Sequence, residues 1–247
     1  MKAIRIFSMV ALGLPTLASI AWAIVTLVHG EYLTTLVALG SGAFWFLGLL
    51  TWILLPTAVA WGISDATGTT IRIDKRIEAV VLLGVATGTV ALGLLAGFGA
   101  AGKLAIPLPP DISRMYALVF AGPAVVCLLL VVVTLRRPGI SRIRLTPTGF
   151  EFAEVFSTKA GAWSEVTDVT SVVPDDTAAR SPLVMAMAND KARIVKDSAL
   201  FTPDGRALLE FVRFYWQHPE NRGELADGLA LQRLQTVQGE VKPGTSS

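Results

Sequence analysis

Charge is what this 247-residue chain has least of, and the deficit is uneven. Residues 1–135 hold 7 of the 21 Lys/Arg and 5 of the 19 Asp/Glu, which leaves 14 and 14 for residues 136–247. A soluble globular chain carries about a quarter charged residues; here the share is 16%, and the shortfall lies in the first half. Two compositions imply two environments, with the boundary near Arg136. A net charge of +2, and of zero in the second half, provides no electrostatic footprint for nucleic acid. Cysteine and histidine are scarce as well. Cys127 is alone and lies in an apolar run, which excludes an intrachain disulfide and reads as a small core hydrophobe. His29 and His218 are far apart in sequence, so no zinc, haem or cysteine–histidine constellation can be drawn and no cofactor is expected.

What the first half does have is length in its apolar runs. About 20 apolar residues cross a hydrocarbon layer of about 30 Å. Residues 6–28, 37–63, 79–100 and 115–135 reach that length without one Asp, Glu, Lys or Arg. Four transmembrane helices are therefore expected, with Pro15, Pro56 and Pro123 inside them as kinks. Short-loop cations set the orientation. Lys2, Arg5, Arg72, Lys75, Arg76, Arg136, Arg137, Arg142 and Arg144 fall on one side, and only Lys103 and Arg114 on the other. This predicts a multi-pass protein of the inner (plasma) membrane with both termini cytoplasmic. Lys2, Arg5 and the Ala21-Trp22-Ala23 tripeptide imitate a signal peptide. The apolar run continues to Val28, longer than the 7–15 residues of a typical signal core, so an uncleaved first helix is expected.

The third run carries a packing signal. Gly84/Gly88 and Gly93/Gly97 are two G-x-x-x-G pairs, and Thr89, Gly93, Gly97 and Ala101 recur every fourth residue on one helix face. Small residues let helix backbones approach in lipid, where no hydrophobic drive brings helices together. The favoured reading is packing within the protein's own bundle; the alternative is a docking face for another membrane protein. Proton relays, ion sites and substrate paths place ionisable side chains within spans, and these runs hold none, so an autonomous transporter is not expected.

After Leu135 the pattern changes. Pro138 and Gly139 end the helix, and Arg136, Arg137, Arg142 and Arg144 form a juxtamembrane basic cluster. Such a cluster enforces orientation; the sharper reading is contact with anionic lipid head groups. Ile143 and Leu145 alternate with arginines as a half-buried strand, residues 146–149 have turn chemistry, and Phe150, Phe152, Val155 and Phe156 continue a second strand. Residues 157–161 read as a turn and 162–173 as a third strand. Residues 174–181 form a loop whose Asp175 and Asp176 are explained by its polarity. Two further strands meet at Asn189-Asp190. Thr202 and Pro203 suit the N-cap and first position of an amphipathic helix. Leu208, Leu209, Phe211, Val212, Tyr215 and Trp216 form its apolar face, and Arg206, Glu210, Arg213 and Gln217 a solvated one. A more polar helix is expected over 224–237, before a disordered tail.

Short antiparallel strands followed by one amphipathic helix resemble the bacterial pleckstrin-homology-like domains. The likeness lies in the hairpin "ISRIRLTPTGFEF", the Trp163-Ser164-Glu165-Val166 element and the helix after Thr202, about 80 residues in all. It implies a scaffold for lipid or protein contacts, with Trp163, Phe150, Phe152, Val212 and Trp216 as its core. The expected fold is thus a four-helix membrane bundle (1–137), a cytoplasmic α+β PH-like domain (138–218), and a C-terminal helix and tail (219–247). The whole chain, Ala/Val/Gly-rich with Arg over Lys, also resembles actinobacterial membrane proteins, and in particular the lipid-uptake coordinator accessory subunits of mycobacterial MCE lipid importers. That resemblance implies a non-enzymatic accessory subunit with membrane lipids and an integral membrane partner such as a permease. The alternative is a membrane-anchored sensor whose sheet binds anionic head groups. An enzyme is not expected, because Ser164 and Glu165 have no histidine or second acid at catalytic spacing.

Overall fold

The computed structural model describes residues 2–104, 113–136, 141–154, 157–173, 179, 181–189 and 192–240. These fall into two compact units. One comprises residues 1–53 and 79–138, the other residues 54–78 and 139–247.

The first unit is helical. Helices α1 (Lys2–Val28), α2 (Tyr32–Leu54), α3 (Lys75–Ala100) and α4 (Ser113–Arg136) are all long and apolar enough to cross a membrane. Gly30, at φ +77°, turns the chain between α1 and α2, a left-handed conformation that costs glycine little. The two helices then run antiparallel, with Leu12 beside Gly48, Ser19 beside Gly42 and the Thr26 and Thr35 hydroxyls 2.9 Å apart. Pro15 and Pro123 lie within α1 and α4. Pro56 instead sits in a 3-10 turn, Leu55–Thr57, beyond the end of α2. The helix expected over 37–63 therefore starts earlier and ends at Leu54, because the chain leaves it through this turn and enters a strand at Trp61.

That strand opens the second unit. β1 (Trp61–Asp65) and β2 (Gly68–Arg72) form a hairpin, and β2 pairs antiparallel with β3 (Arg142–Leu145). β4 (Gly149–Ala153) and β5 (Thr158–Ala162) complete a five-stranded sheet in the order β1-β2-β3-β4-β5. A second sheet holds β6 (Val166–Thr170), β7 (Leu183–Met187) and β8 (Arg193–Val195). The alternation of Arg142, Ile143, Arg144 and Leu145 puts the two apolar residues on the buried face, as a period of two requires. Residues 157–161, read from sequence as a turn, mostly form β5, and Trp163–Glu165 is a 3-10 turn between the sheets rather than strand. Small residues in β5 permit this. Gly161 leaves room for the Phe150 ring and Met187, which a Cβ would meet at 2.8 Å.

Helix α5 (Arg206–Gln217) closes on β6 and buries Ala207, Leu208, Phe211, Val212 and Tyr215. It begins three residues later than Thr202–Pro203 suggested, because Pro203–Gly205 forms a 3-10 turn whose Asp204 and Gly205 have positive φ. Thr202 is buried, and its hydroxyl oxygen accepts from Leu208 N at 3.4 Å. Arg213, expected on the solvated face, instead donates to Val169 O at 2.8 and 3.1 Å. The helix expected over 224–237 is two: α6 (Glu224–Asp227) and α7 (Leu229–Glu240), broken at Gly228 with φ +90°. Both pack on the β1–β2 hairpin, and Gly62 of β1 makes room for Leu231. Two boundaries expected from sequence therefore shift. Residues 54–78 belong with the C-terminal half, and residues 219–240 are part of that same unit. Val155, Phe156, Asp175, Asp176, Asp190, Arg137 and the tail after Glu240 lie outside the described residues.

Candidate functional site

The first sheet has two dissimilar faces. Thr69, Ile71, Ile143, Leu145, Phe150 and Phe152 share the buried one. Strand alternation sends their neighbours to the other face, where one register row reads Trp61, Arg72, Arg142 and Ala153. The next row reads Ile63, Thr70, Arg144 and Glu151. Two of the arginines assigned to head-group contact thus sit on β3, and both have carboxylate partners. Arg142 pairs with Glu151 at 3.0 Å and Arg144 with Asp65 at 3.0 Å. Arg136 is exposed at the last position of α4. Hydrogen bonds from the Thr67 hydroxyl and amide, joined by Arg144, hold the Asp65 carboxyl down at about 2.

Arg72 was visible in sequence only as a cation that orients the chain. It lies directly opposite Arg142, with its guanidinium 5.3 Å from the centre of the Trp61 ring. Lys75 Nζ is 4.1 Å from the same ring. Trp61 Nε1, Arg72 Nε and Arg142 Nε are all shielded from water without a hydrogen-bond acceptor among the described residues. Asp74 closes the base of the hairpin: it accepts from Val59 N at 3.0 Å and from Arg76 N at 2.8 Å, and pairs with the Arg76 guanidinium at 2.9 Å. Burial would raise the Asp74 pKa, but these hydrogen bonds outweigh it and hold the carboxyl below its ordinary value. The signal that could have revealed the hairpin is the Asp65-Ala66-Thr67-Gly68 turn chemistry between two short runs rich in β-formers.

Within the helical unit, the glycine stripe divides. The missing Cβ of Gly84 would lie 3.4 Å from Leu47, and that of Gly88 2.7 Å from the Phe44 ring. Gly40 of α2 meets Ala91 of α3 in the same antiparallel seam. The first G-x-x-x-G pair is thus filled by the chain's own α2. Among the described residues nothing lies within 4 Å of the Cβ positions of Gly93 and Gly97, Ala101 is exposed beyond the end of α3, and the Thr89 hydroxyl donates to Val85 O within its helix. On α4, Gly122 is also open, and few residues of that helix are covered at all. An apolar groove of about 300 Å³ lies among α1, α2 and α3, lined by Leu12, Phe44, Trp45, Thr51, Val81 and Gly84.

The residues assigned to the domain core are placed as follows. Trp163 is 3% exposed, tilted against Phe150 with ring centres 5.7 Å apart, and donates from Nε1 to Thr146 O at 2.8 Å. Arg222 covers its ring at 5.0 Å. Phe150, Phe152 and Val212 are buried; Trp216 is half-buried and donates to Val166 O at 3.1 Å. Tyr215, Glu224 and Arg233 form a further cluster that ties α5 to α6 and α7. Tyr215 donates to Glu224 at 3.0 Å, and Arg233 grips the same carboxylate at 2.7 and 2.8 Å. Burial, reinforced by Glu224, raises the Tyr215 pKa, and the Arg233 hydrogen bonds lower that of Glu224. Among the described residues no three His, Cys, Asp or Glu side chains converge as a metal site would need. No family model, no curated protein and no solved structure matches the chain.

Proposed function

We propose that the protein is a non-enzymatic integral membrane accessory subunit of a larger inner-membrane complex, docking through its apolar helices and its sheet unit. The observation that carries this reading is the divided glycine stripe: α2 fills Gly84 and Gly88, whereas Gly93 and Gly97 stay open on the same helix. An open small-residue surface at membrane depth is where a partner helix approaches most closely. The assembly in view is an MCE-type lipid importer, and its permease the partner. The support for that choice is the sequence resemblance.

The element order of the second unit supports a PH-like reading of it, since strands β3 to β8 precede one amphipathic helix. The β1–β2 hairpin is then an addition from the α2–α3 segment. Positive-inside counting places this unit in the cytoplasm. The shared sheet supports that count, because both cation-rich segments, 72–76 and 136–144, must then lie on one side.

Purification of the tagged protein from membranes in mild detergent, with mass spectrometry of what accompanies it, tests the proposal. Reproducible recovery with a membrane permease is expected. Recovery as a lone monomer, or substrate turnover by the pure protein in liposomes, would overturn it.

A further inference from the structure

The Trp61–Arg72–Arg142 row has too many donors and too much positive charge for the acceptors around it. Arg72 and Arg142 are cross-strand partners, an arrangement in which like charges repel. Lys75 adds a third cation over the same indole. Among the described residues the ion pairs bring Glu151 to Arg142, and none reaches Arg72 or Lys75. The shielded side-chain nitrogens Trp61 Nε1, Arg72 Nε and Arg142 Nε, all without a partner among the described residues, come from this one row. Elsewhere on the same face the arrangement is balanced, with Arg144 on Asp65. Native structures satisfy nearly all such donors, and a cluster without partners calls for acceptors from outside the chain, whether water, ion or ligand.

We propose that Arg72, Lys75 and Arg142, framed by Trp61, bind the phosphate of an anionic lipid head group. Phosphate offers several acceptor oxygens and the negative charge the row lacks, and guanidinium groups engage it in pairs. The chain supplies the reason for a lipid rather than a free ion. Lys75 is the first residue of the membrane-length helix α3. Arg142 follows the last residue of α4, Arg136, by a segment that extends at most about 20 Å. Both cations are thereby confined near the ends of membrane-length helices, where head groups lie and where tryptophan is favoured. The proposal is independent of the accessory-subunit reading, since it requires a lipid surface and no protein partner.

The test uses the full-length protein in an uncharged detergent, with thermal unfolding followed as lipid is added. The probes are dihexanoyl phosphatidylglycerol, dihexanoyl phosphatidylcholine and inorganic phosphate. Phosphatidylglycerol is expected to raise the midpoint in a saturable, salt-sensitive way. Arg72→Gln and Lys75→Gln are each expected to weaken its apparent affinity about fivefold, and Lys103→Gln to leave it unchanged. If Arg72→Gln does not fold, Lys75→Gln decides alone, because Lys75 is exposed at a helix start. Wild-type affinity in Lys75→Gln, or equal effects of phosphatidylcholine and phosphatidylglycerol, would overturn the proposal. An equal effect of inorganic phosphate at the same concentration would overturn the lipid as its source.

Discussion

Ile71 of β2 and Ile143 of β3 are cross-strand partners, 0% and 1% exposed, although helices α3 and α4 separate them in the chain. Two segments that share a hydrogen-bonded ladder cannot emerge on opposite sides of a membrane. Any spanning helices between them must therefore cross it an even number of times, and the chain offers two of sufficient length and apolarity there, α3 and α4. The chain thus passes between the two units three times, at the end of α2, after the first turn of α3 and beyond α4.

Truncating either isoleucine should cost about 2–5 kcal/mol of stability, the usual range for emptying a buried aliphatic site. Ile71→Ala and Ile143→Ala touch one another, so the double variant should depart from additivity by about 0.5–3 kcal/mol. Denaturant unfolding of the four proteins in detergent, followed by tryptophan fluorescence, measures both quantities.

Residues 139–247 alone should fold poorly. Without the hairpin, β3 becomes an open edge, and Leu225, Ala230 and Leu234, all buried here, lose the surface that α6 and α7 pack on. A chain that joins residues 54–78 to 139–247 through a flexible linker should recover cooperative unfolding. Amide exchange at Ile143 and Leu145 reports the difference: fast in the shorter chain, protected in the linked one.

The divided stripe predicts unequal responses to the same small change. Gly88→Ala places a methyl 2.7 Å from the Phe44 ring and should lower the unfolding midpoint. Gly93→Ala and Gly97→Ala meet open space and should leave the midpoint of the isolated protein unchanged. Calorimetry in one detergent compares the three directly.

Acid should weaken the β1–β2 turn through Asp65. Its pKa falls from 3.8 to about 2 on folding, so the charged form is the one the fold favours. The resulting stabilisation is complete well above pH 3.8 and is lost as the pH falls from there toward 2. The gap in unfolding midpoint between the native protein and Asp65→Asn should hold from pH 7 to 5 and close below it. Asp74 and Glu224 titrate in both proteins and cancel in the comparison.

Sequence period made some of this legible and left some hidden. The four long helices follow from unbroken apolar length, and β3 and β4 from the alternation around Ile143 and Phe152. The β1–β2 hairpin was concealed because Ala58, Ala60, Trp61 and Ile63 prolong the apolar run of α2. Hydropathy alone does not separate a helix end from a buried strand. β5 was hidden by its composition, since Ser157 and Gly161 read as turn residues, whereas Gly161 serves here as the small neighbour of Phe150 and Met187. The arginine row was unreadable for a different reason. Arg72 and Arg142 become neighbours only through a long-range register, and no local pattern marks it. The ion pairs of Arg142 and Arg144 are hidden in the same way, because Asp65 reaches Arg144 from the far side of two helices.

The central claim, that the open half of α3 meets a partner helix, is tested most directly by photo-crosslinking in native membranes. A photoreactive residue is placed at Gly93 or Gly97, and for comparison at Leu83, an exposed α3 position about 20 Å along the helix from Gly97. The account predicts a discrete protein adduct from positions 93 and 97, the same in both, and none from 83. Lipid adducts alone at all three positions, or the same protein adducts at 83 as at 93 and 97, would contradict it.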